Sequence, residues 1–288
     1  MTLSMPELAF AALAGGTIGF LTGMFGAGGA FLLVPVLNIA LGIEMDLAVG
    51  SVACYILGPA TTSLLARRIR LHHTRLPLTI AGGLLAGVLA GAWLLESIQQ
   101  EGTLSVAGTA VPAADLVVLL CYLGLLSSLG VFLIWEAHRG TQVPRGRLAG
   151  VRLPPRARFP EFGGRPLSIP VLAWFGLAVG FLSGLLGMGG GLILLPAMVY
   201  LLGMRTQQAV IGSMLIVWLV SLMSTLTHAW HENIDLMLVA VLLLGGTIGA
   251  RLGTDAGTRL AGRQLRQYFG WLVLAAAVLV LLRLIGLI

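Results

Sequence analysis

A block of about two dozen residues occurs twice in this chain. GFLTGMFGAGGAFLLVPVLNIALG begins at Gly19, and GFLSGLLGMGGGLILLPAMVYLLG begins at Gly180, 161 residues later. Downstream, AVGS (48–51) is answered by AVIGS (209–213), where Ser51 meets Ser213 at an offset of 162. The duplication pairs Gly23 with Gly184, Gly26 with Gly187, Gly28 with Gly189, Gly29 with Gly190, Pro35 with Pro196 and Gly42 with Gly203. Glycine and proline interrupt regular helix, so repeating both inside apolar sequence means that one broken backbone is built twice. The chain divides into a first repeat 1–136, a linker 137–167 and a second repeat 168–288.

The repeats are made of long apolar runs: 7–22, 76–95, 113–135, 169–186, 236–250 and 267–282. Of the 288 residues, 58% are hydrophobic and 10% charged, against about 45–50% and about 25% in soluble domains. Such a chain cannot cover a soluble surface. Continuous runs, without the alternation of an outer-membrane barrel, predict an all-α polytopic membrane protein. Soluble enzymes, disulfide scaffolds and nucleic-acid binders are excluded, and the net charge of +6 reads as topology charge.

All 17 basic residues are arginine. The linker carries Arg139, Arg145, Arg147, Arg152, Arg156, Arg158 and Arg165 against Glu161 alone, which places it, as a mobile segment, on the cytoplasmic side. Arg67, Arg68, Arg70 and Arg75 put their loop inside, whereas 96–112 has acids and no arginine and lies outside. The four arginines of 251–266 are then inside only if 169–203 enters and returns on one face. As one straight helix, 7–42 would be about 54 Å long, too long for a hydrocarbon core of about 30 Å. Each glycine-rich block therefore reads as a helical hairpin with its tip, 23–29 or 184–191, in the bilayer. A hairpin plus three crossings per repeat makes the halves inverted and leaves only Arg283 on the wrong side.

Non-helical backbone at membrane depth must be packed in protein or face a watery cavity. Two such tips from opposite faces are the organisation of a secondary transporter with its site between the repeats. Helices resume at Ala30 and Gly191, and their free N–H groups and positive dipole ends favour an anion. Gly26, Gly28, Gly29, Gly187, Gly189 and Gly190 let backbone approach a ligand, with Pro35 and Pro196 as structural helix breaks. Membrane glycines taken singly are more often packing contacts; the clustering and duplication favour the site. Ser51, Tyr55 and Thr62 share one face of 46–66, and Ser213, Ser224 and His228 one face of 209–230. Ser51, Thr62, Ser213 and Ser224 supply hydroxyls for an oxyanion, although a single membrane serine more often bonds its own helix or a neighbouring one.

Other features carry less. Cys54 and Cys121 lie in apolar segments as inert thiols. His228-Ala-Trp-His231-Glu232 lacks the order of a zinc-hydrolase motif and reads as a solvated helix end, so no metal or other cofactor is expected. No acid or arginine falls at mid-membrane depth, which leaves a proton relay without a carrier. MTLSMPE has neither an arginine before its apolar run nor a small-residue cleavage site, so the first helix is read as mature structure.

The duplicated GFLTGMFGAGGAFLLVP and GFLSGLLGMGGGLILLP, the AVGS and AVIGS that follow, ENID (232–235) and GGTIGARLGT (245–254) resemble the TauE/SafE family of sulfite exporters over nearly the whole chain outside the linker. The resemblance implies a bacterial inner-membrane, multi-pass carrier of sulfite or an organosulfonate, with the lipid bilayer, a small anionic substrate and a second copy of the chain as candidate partners. It implies no enzyme. The first half departs where Arg251 follows GTIGA, since the aligned stretch reads AGVLAG (86–91), so any role of Arg251 is one-sided. A carrier of another small anion is the alternative on the same scaffold. A redox subunit, with Cys54, Cys121 and His228 as its only reactive groups, is disfavoured because CxxC and paired haem ligands are missing from the sequence.

Overall fold

The computed structural model describes residues 4–26, 30–43, 45–67, 75–99, 103–106, 109–139, 146, 148–151, 153–159, 166–186, 191–230 and 232–285. Helices α1 (Met5–Phe25), α2 (Leu33–Leu41), α3 (Met45–Ala66), α4 (Arg75–Gln99) and α5 (Ala113–Arg139) form the first half. Helices α6 (Ile169–Leu186), α7 (Gly191–Tyr200), α8 (Thr206–Trp230), α9 (Leu236–Arg259) and α10 (Gly262–Leu284) form the second. Each half thus runs long, short and three times long. Among the described residues, Met5–Phe25, Leu47–Ala66, Thr206–Trp230, Leu236–Arg259 and Gly262–Leu282 are long and apolar enough to cross a bilayer. Outward Leu13, Leu89, Trp174 and Leu244 are largely exposed, an apolar surface suited to lipid.

Two small hairpins modify the all-helical expectation: β1 (Thr103–Val106) pairs antiparallel with β2 (Thr109–Pro112), and β3 (Arg156–Arg158) with β4 (Pro166–Ser168). Both occupy connections between apolar runs, where backbone groups are free to pair without continuing a helix. The linker, expected to be mobile, is docked where it is described. Leu148 N–H donates to Leu201 O at 3.0 Å, Gly146 is pressed against Leu202 and Gly203, and Phe159 and Leu167 are buried. Apolar side chains within the arginine-rich segment account for the docking.

Glycine sets the helix packing. A Cβ on Gly15, Gly19 or Gly23 of α1 would strike the backbone of Leu242, Gly246 or Ala250 of α9, so the two helices run parallel in near backbone contact. Gly176 and Gly180 of α6 meet Ile80 and Leu84 of α4 in the same way. Shifting the first pair by the repeat offsets converts Gly15/Leu242 into Gly176/Ile80 and Gly19/Gly246 into Gly180/Leu84; the two interfaces are duplicates. Each half therefore lends its first helix to the other half. Small residues permit this approach where lipid supplies no hydrophobic force between helices. Equivalent helices pack on one another antiparallel: Arg67 and Thr61 of α3 meet Gln207 and Trp218 of α8, while Gly130 and Ile134 of α5 meet Leu274 and Gly270 of α10.

α1 begins at Met5, where the Ser4 N–H donates to the Glu7 carboxylate at 2.7 Å, and it ends because Gly26 takes φ +80 and donates its N–H to Thr22 O at 2.9 Å. With 21 residues it is about 31 Å long. It exceeds the arm 7–22 read from the sequence, and its end lies level with the C-terminal end of α3. After the first glycine break the chain makes one 3-10 turn, Ala30–Leu32, before α2 begins at Leu33, whereas α7 begins directly at Gly191. The prolines do not make the breaks: Pro35 sits in the first turn of α2 and Pro196 lies buried inside α7. A proline in a first turn removes an N–H that has no helical acceptor, and one inside a helix is tolerated at the loss of one bond.

Candidate functional site

The α1 break is enclosed mainly by elements of the other half. Ser213 Oγ of α8 lies 3.1 Å from Gly26 O and 2.9 Å from Val210 O, and is fully buried. Its single proton is shared between these carbonyls, so Ser213 clamps the break. At Gly23 the carbonyl accepts from Arg67 Nη2 at 3.2 Å, with Thr254 Oγ1 at 3.5 Å. Arg67 Nη1 donates to Gln207 Oε1 at 3.2 Å, and Gln207 Nε2 in turn donates to Gly257 O at 2.9 Å. A cation is thereby seated on the negative end of α1, where the last carbonyls lack helical partners.

Buried side-chain atoms without a hydrogen-bond partner among the described residues are Thr22 Oγ1, Ser63 Oγ, Arg67 Nε and Ser168 Oγ. The first three fall on α1 beside Gly23 and on the last turn of α3. A buried donor left without an acceptor costs about 1–3 kcal/mol. Among the described residues, the region is therefore poorer in acceptors than its donors require.

Ser51 and Ser213 do not converge. Ser51 Oγ accepts the Asp235 N–H at 3.0 Å, at the opposite end of the α3/α8 pair, and neighbouring Gly50 abuts Asn233. Along α8, the stretch from Ser213 to His228 alone is about 22 Å. The serines therefore mark two ends of one interface. Tyr55 donates to Gly15 O at 2.6 Å and packs on Gly246, a structural bond between α3, α1 and α9. Thr62 and Ser224 are half-buried on their helices, and it is Thr61, next to Thr62, that accepts Trp218 Nε1 at 2.9 Å. Gly28, Gly29, Gly187, Gly189 and Gly190 lie outside the described residues. Cys54 and Cys121 are free thiols on different helices. His228 O accepts the Asn233 N–H at 2.9 Å and the Asp235 carboxylate caps α9 through the Met237 and Leu238 N–H groups, so the end of α8 is tied to the connection that leads into a capped helix.

Two charged features were not evident from the sequence. Arg67 is one of a run of arginines that reads as topology charge, and only the contact with the glycine break distinguishes it. Glu136 and Arg266 form a buried ion pair, Nε to Oε2 3.3 Å, in which Tyr200 donates to Glu136 at 2.6 Å and Arg266 Nη1 donates to Thr206 Oγ1 at 2.8 Å. It ties together the ends of α5, α7, α8 and α10. Glu136 closes an otherwise apolar run, and an ionisable residue in that position requires a partner. Arg251, by contrast, is exposed and lies 3.8 Å from Asp255, one turn along its own helix.

A family model described as "Sulfite exporter TauE/SafE" matches residues 11–280. The "Probable membrane transporter protein" of Xylella fastidiosa (strain Temecula1) is 29% identical over 272 residues, covering 93% of each chain. The "Probable membrane transporter protein YjnA" of Bacillus subtilis (strain 168) is 26% identical over 268 residues, 90% of this chain and 94% of that one. YunE of the same organism, also named a probable membrane transporter protein, is 31% identical over 106 residues, 35% of this chain and 39% of its own. No solved structure matches the chain significantly.

Proposed function

Because the chain belongs to the TauE/SafE sulfite exporter family and is a multi-pass membrane transporter, we propose that it exports a small sulfur-containing anion, sulfite or an organosulfonate, by alternating access between its two glycine-rich breaks. The observation that carries this reading is the α1 break, whose Gly26 and Gly23 carbonyls are held by Ser213, Arg67 and Thr254, so that the chain is interrupted where the halves meet. Irregular backbone between repeats is where transporters bind substrate and rock one half against the other. Gly26, Gly28, Gly29, Gly187, Gly189 and Gly190 supply backbone approach, and Ser51, Thr62, Ser213 and Ser224 line the two ends.

The halves, 1–136 and 168–288, are inverted in this reading. The antiparallel packing of equivalent helices, α3 on α8 and α5 on α10, supports a two-fold axis perpendicular to the helices, which in a bilayer is an axis in the membrane plane. The linker then lies in the cytoplasm and the protein in an inner membrane. Single cysteines at Gly102 and Arg156, in a background without Cys54 and Cys121, are expected to react with an impermeant thiol reagent from outside and from inside respectively. Labelling of both from one face contradicts the inverted arrangement.

Substrate class is tested on the purified chain by thermal shift with sulfite, thiosulfate, taurine, sulfoacetate, sulfate and acetate. A true substrate at a hundredfold excess over its Kd stabilises by about 2.7 kcal/mol. Gly28→Val and Gly189→Val should each remove that stabilisation, since a β-branched side chain blocks close backbone approach, whereas Arg251→Gln retains it. Stabilisation by acetate alone moves the chain to the carboxylate alternative; full binding by both valine variants takes the breaks out of the site.

A further inference from the structure

Of the two buried or partly buried arginines described above, only Arg266 has a carboxylate. Among the described residues, Arg67 has neutral acceptors only, Gln207 Oε1 and Gly23 O, each at 3.2 Å, and its buried Nε–H has none. Gln207 is held by Gly257 O, and Gly23 O is also faced by Thr254, so the guanidinium is fixed between α1, α8 and α9 with its Nε edge unused. One turn before it on the same face of α3 stands Ser63, and next to Gly23 on α1 stands Thr22; both are fully buried and both hydroxyls are unpartnered. A positive charge without a counter-ion and two idle hydroxyls at one helix crossing lack the same thing, an acceptor carrying several oxygens and a negative charge.

The second half repeats the hydroxyls but not the cation. At the repeat offsets Thr22 corresponds to Ser183, Ser63 to Thr225 and Arg67 to Ala229. Thr225 is satisfied by Ser221 O at 2.7 Å, the bond back to its own helix that Ser63 does not make. Among the described residues, the unsatisfied donors and the charge therefore occur together at the α1 break.

Resting on the transporter reading above, we propose that Arg67, Thr22 and Ser63 form the binding group for the transported oxyanion, the guanidinium supplying charge and its Nε–H, the hydroxyls taking further oxygens. The planar fork of arginine suits a polyoxygen anion, and hydrogen bonds to a charged acceptor are the strong ones. Selectivity follows from the geometry: donors from two helices favour a pyramidal or tetrahedral head with three oxygens over a planar carboxylate with two.

The test is affinity and unloaded stability measured side by side on the full chain in detergent, with sulfite, thiosulfate, sulfoacetate, phosphate and acetate as probes. Ser63→Ala and Thr22→Val remove hydroxyls that have no partner, so the unloaded Tm should hold or rise while Kd for the best anion weakens about tenfold each. Arg67→Lys keeps the charge but loses the fork, and should weaken Kd about tenfold or more. A purely structural role for the two hydroxyls predicts the reverse: a lower Tm with unchanged Kd, and that result overturns the proposal while leaving the transporter of sulfur anions standing. Tight phosphate binding with the same dependence on the three residues retains the proposal and overturns the sulfur reading, whereas acetate bound more tightly than the three-oxygen anions overturns the proposal. Failure of every anion to stabilise the wild-type chain overturns both.

Discussion

Arg266→Met is expected to destabilise the folded protein by about 3–5 kcal/mol, because it leaves Glu136 buried, charged and without its counter-ion. Both side chains are about nine-tenths buried, at 8% exposure, so water cannot take over the charge. Methionine retains the length of the arginine stem, which confines the change to the charge and its hydrogen bonds. The loss should appear as a large drop in Tm in detergent, with Thr206 also deprived of the Arg266 donor. Adding Glu136→Met should recover much of it, since an apolar pair of similar volume has no desolvation cost. An unchanged Tm for the single variant would mean that the pair contributes nothing to holding α5, α7, α8 and α10 together.

Two neighbouring glycines give the second large effect, with opposite signs. Gly83 of α4 faces the carbonyl of Ala173 in α6, at a separation no Cβ tolerates, whereas Gly82 faces open space. Gly83→Ala is expected to force the helices apart at a cost of about 2–3 kcal/mol. Gly82→Ala should be neutral or stabilise by up to about 1 kcal/mol through helix propensity alone. The repeat-related position Gly245, which faces Ala12, should behave like Gly83. Chemical or thermal unfolding of the three variants decides the matter. Equal behaviour of Gly82→Ala and Gly83→Ala would show that the close α4/α6 approach does not limit stability.

Much of this architecture is legible in the sequence, because length and apolar continuity dictate membrane helices and the duplicated glycines dictate two breaks. The helix start at Gly191 follows from the same reasoning, but at Ala30 a 3-10 turn intervenes and the α-helix begins three residues later, at Leu33. The exchange of first helices between halves does not, since nothing in the run around Gly15 names Leu242 as its neighbour. Arg67 and Glu136 were missed for a related reason. A charge at a helix end looks the same in sequence whether it meets water, lipid headgroups or another helix, and its partners here lie 140 and 130 residues away. The serine stripe was read correctly as helical but assigned to one shared purpose; antiparallel packing of α3 on α8 sends Ser51 and Ser213 to opposite ends. Proline next to a break does not identify its cause: at the first break Gly26 supplies the positive φ and Pro35 sits in the helix that follows, and Pro196 lies inside α7.

The exchange of α1 and α6 between the halves also sets the order in which the protein can be made. α1 leaves the ribosome first, but the backbone of α9 against which it fits is more than 220 residues further along, as Gly15 and Leu242 mark. At about 5–20 residues per second, α1 waits on the order of 10–50 s before its partner exists. During that interval the open carbonyls at Gly23 and Gly26 lack Thr254 and Ser213 and must be tolerated by lipid, water or the insertion machinery. The first half is therefore incomplete until late in synthesis: α6 can join α4 as soon as it is made, and the contact of α1 with α9 is the last interlock to close.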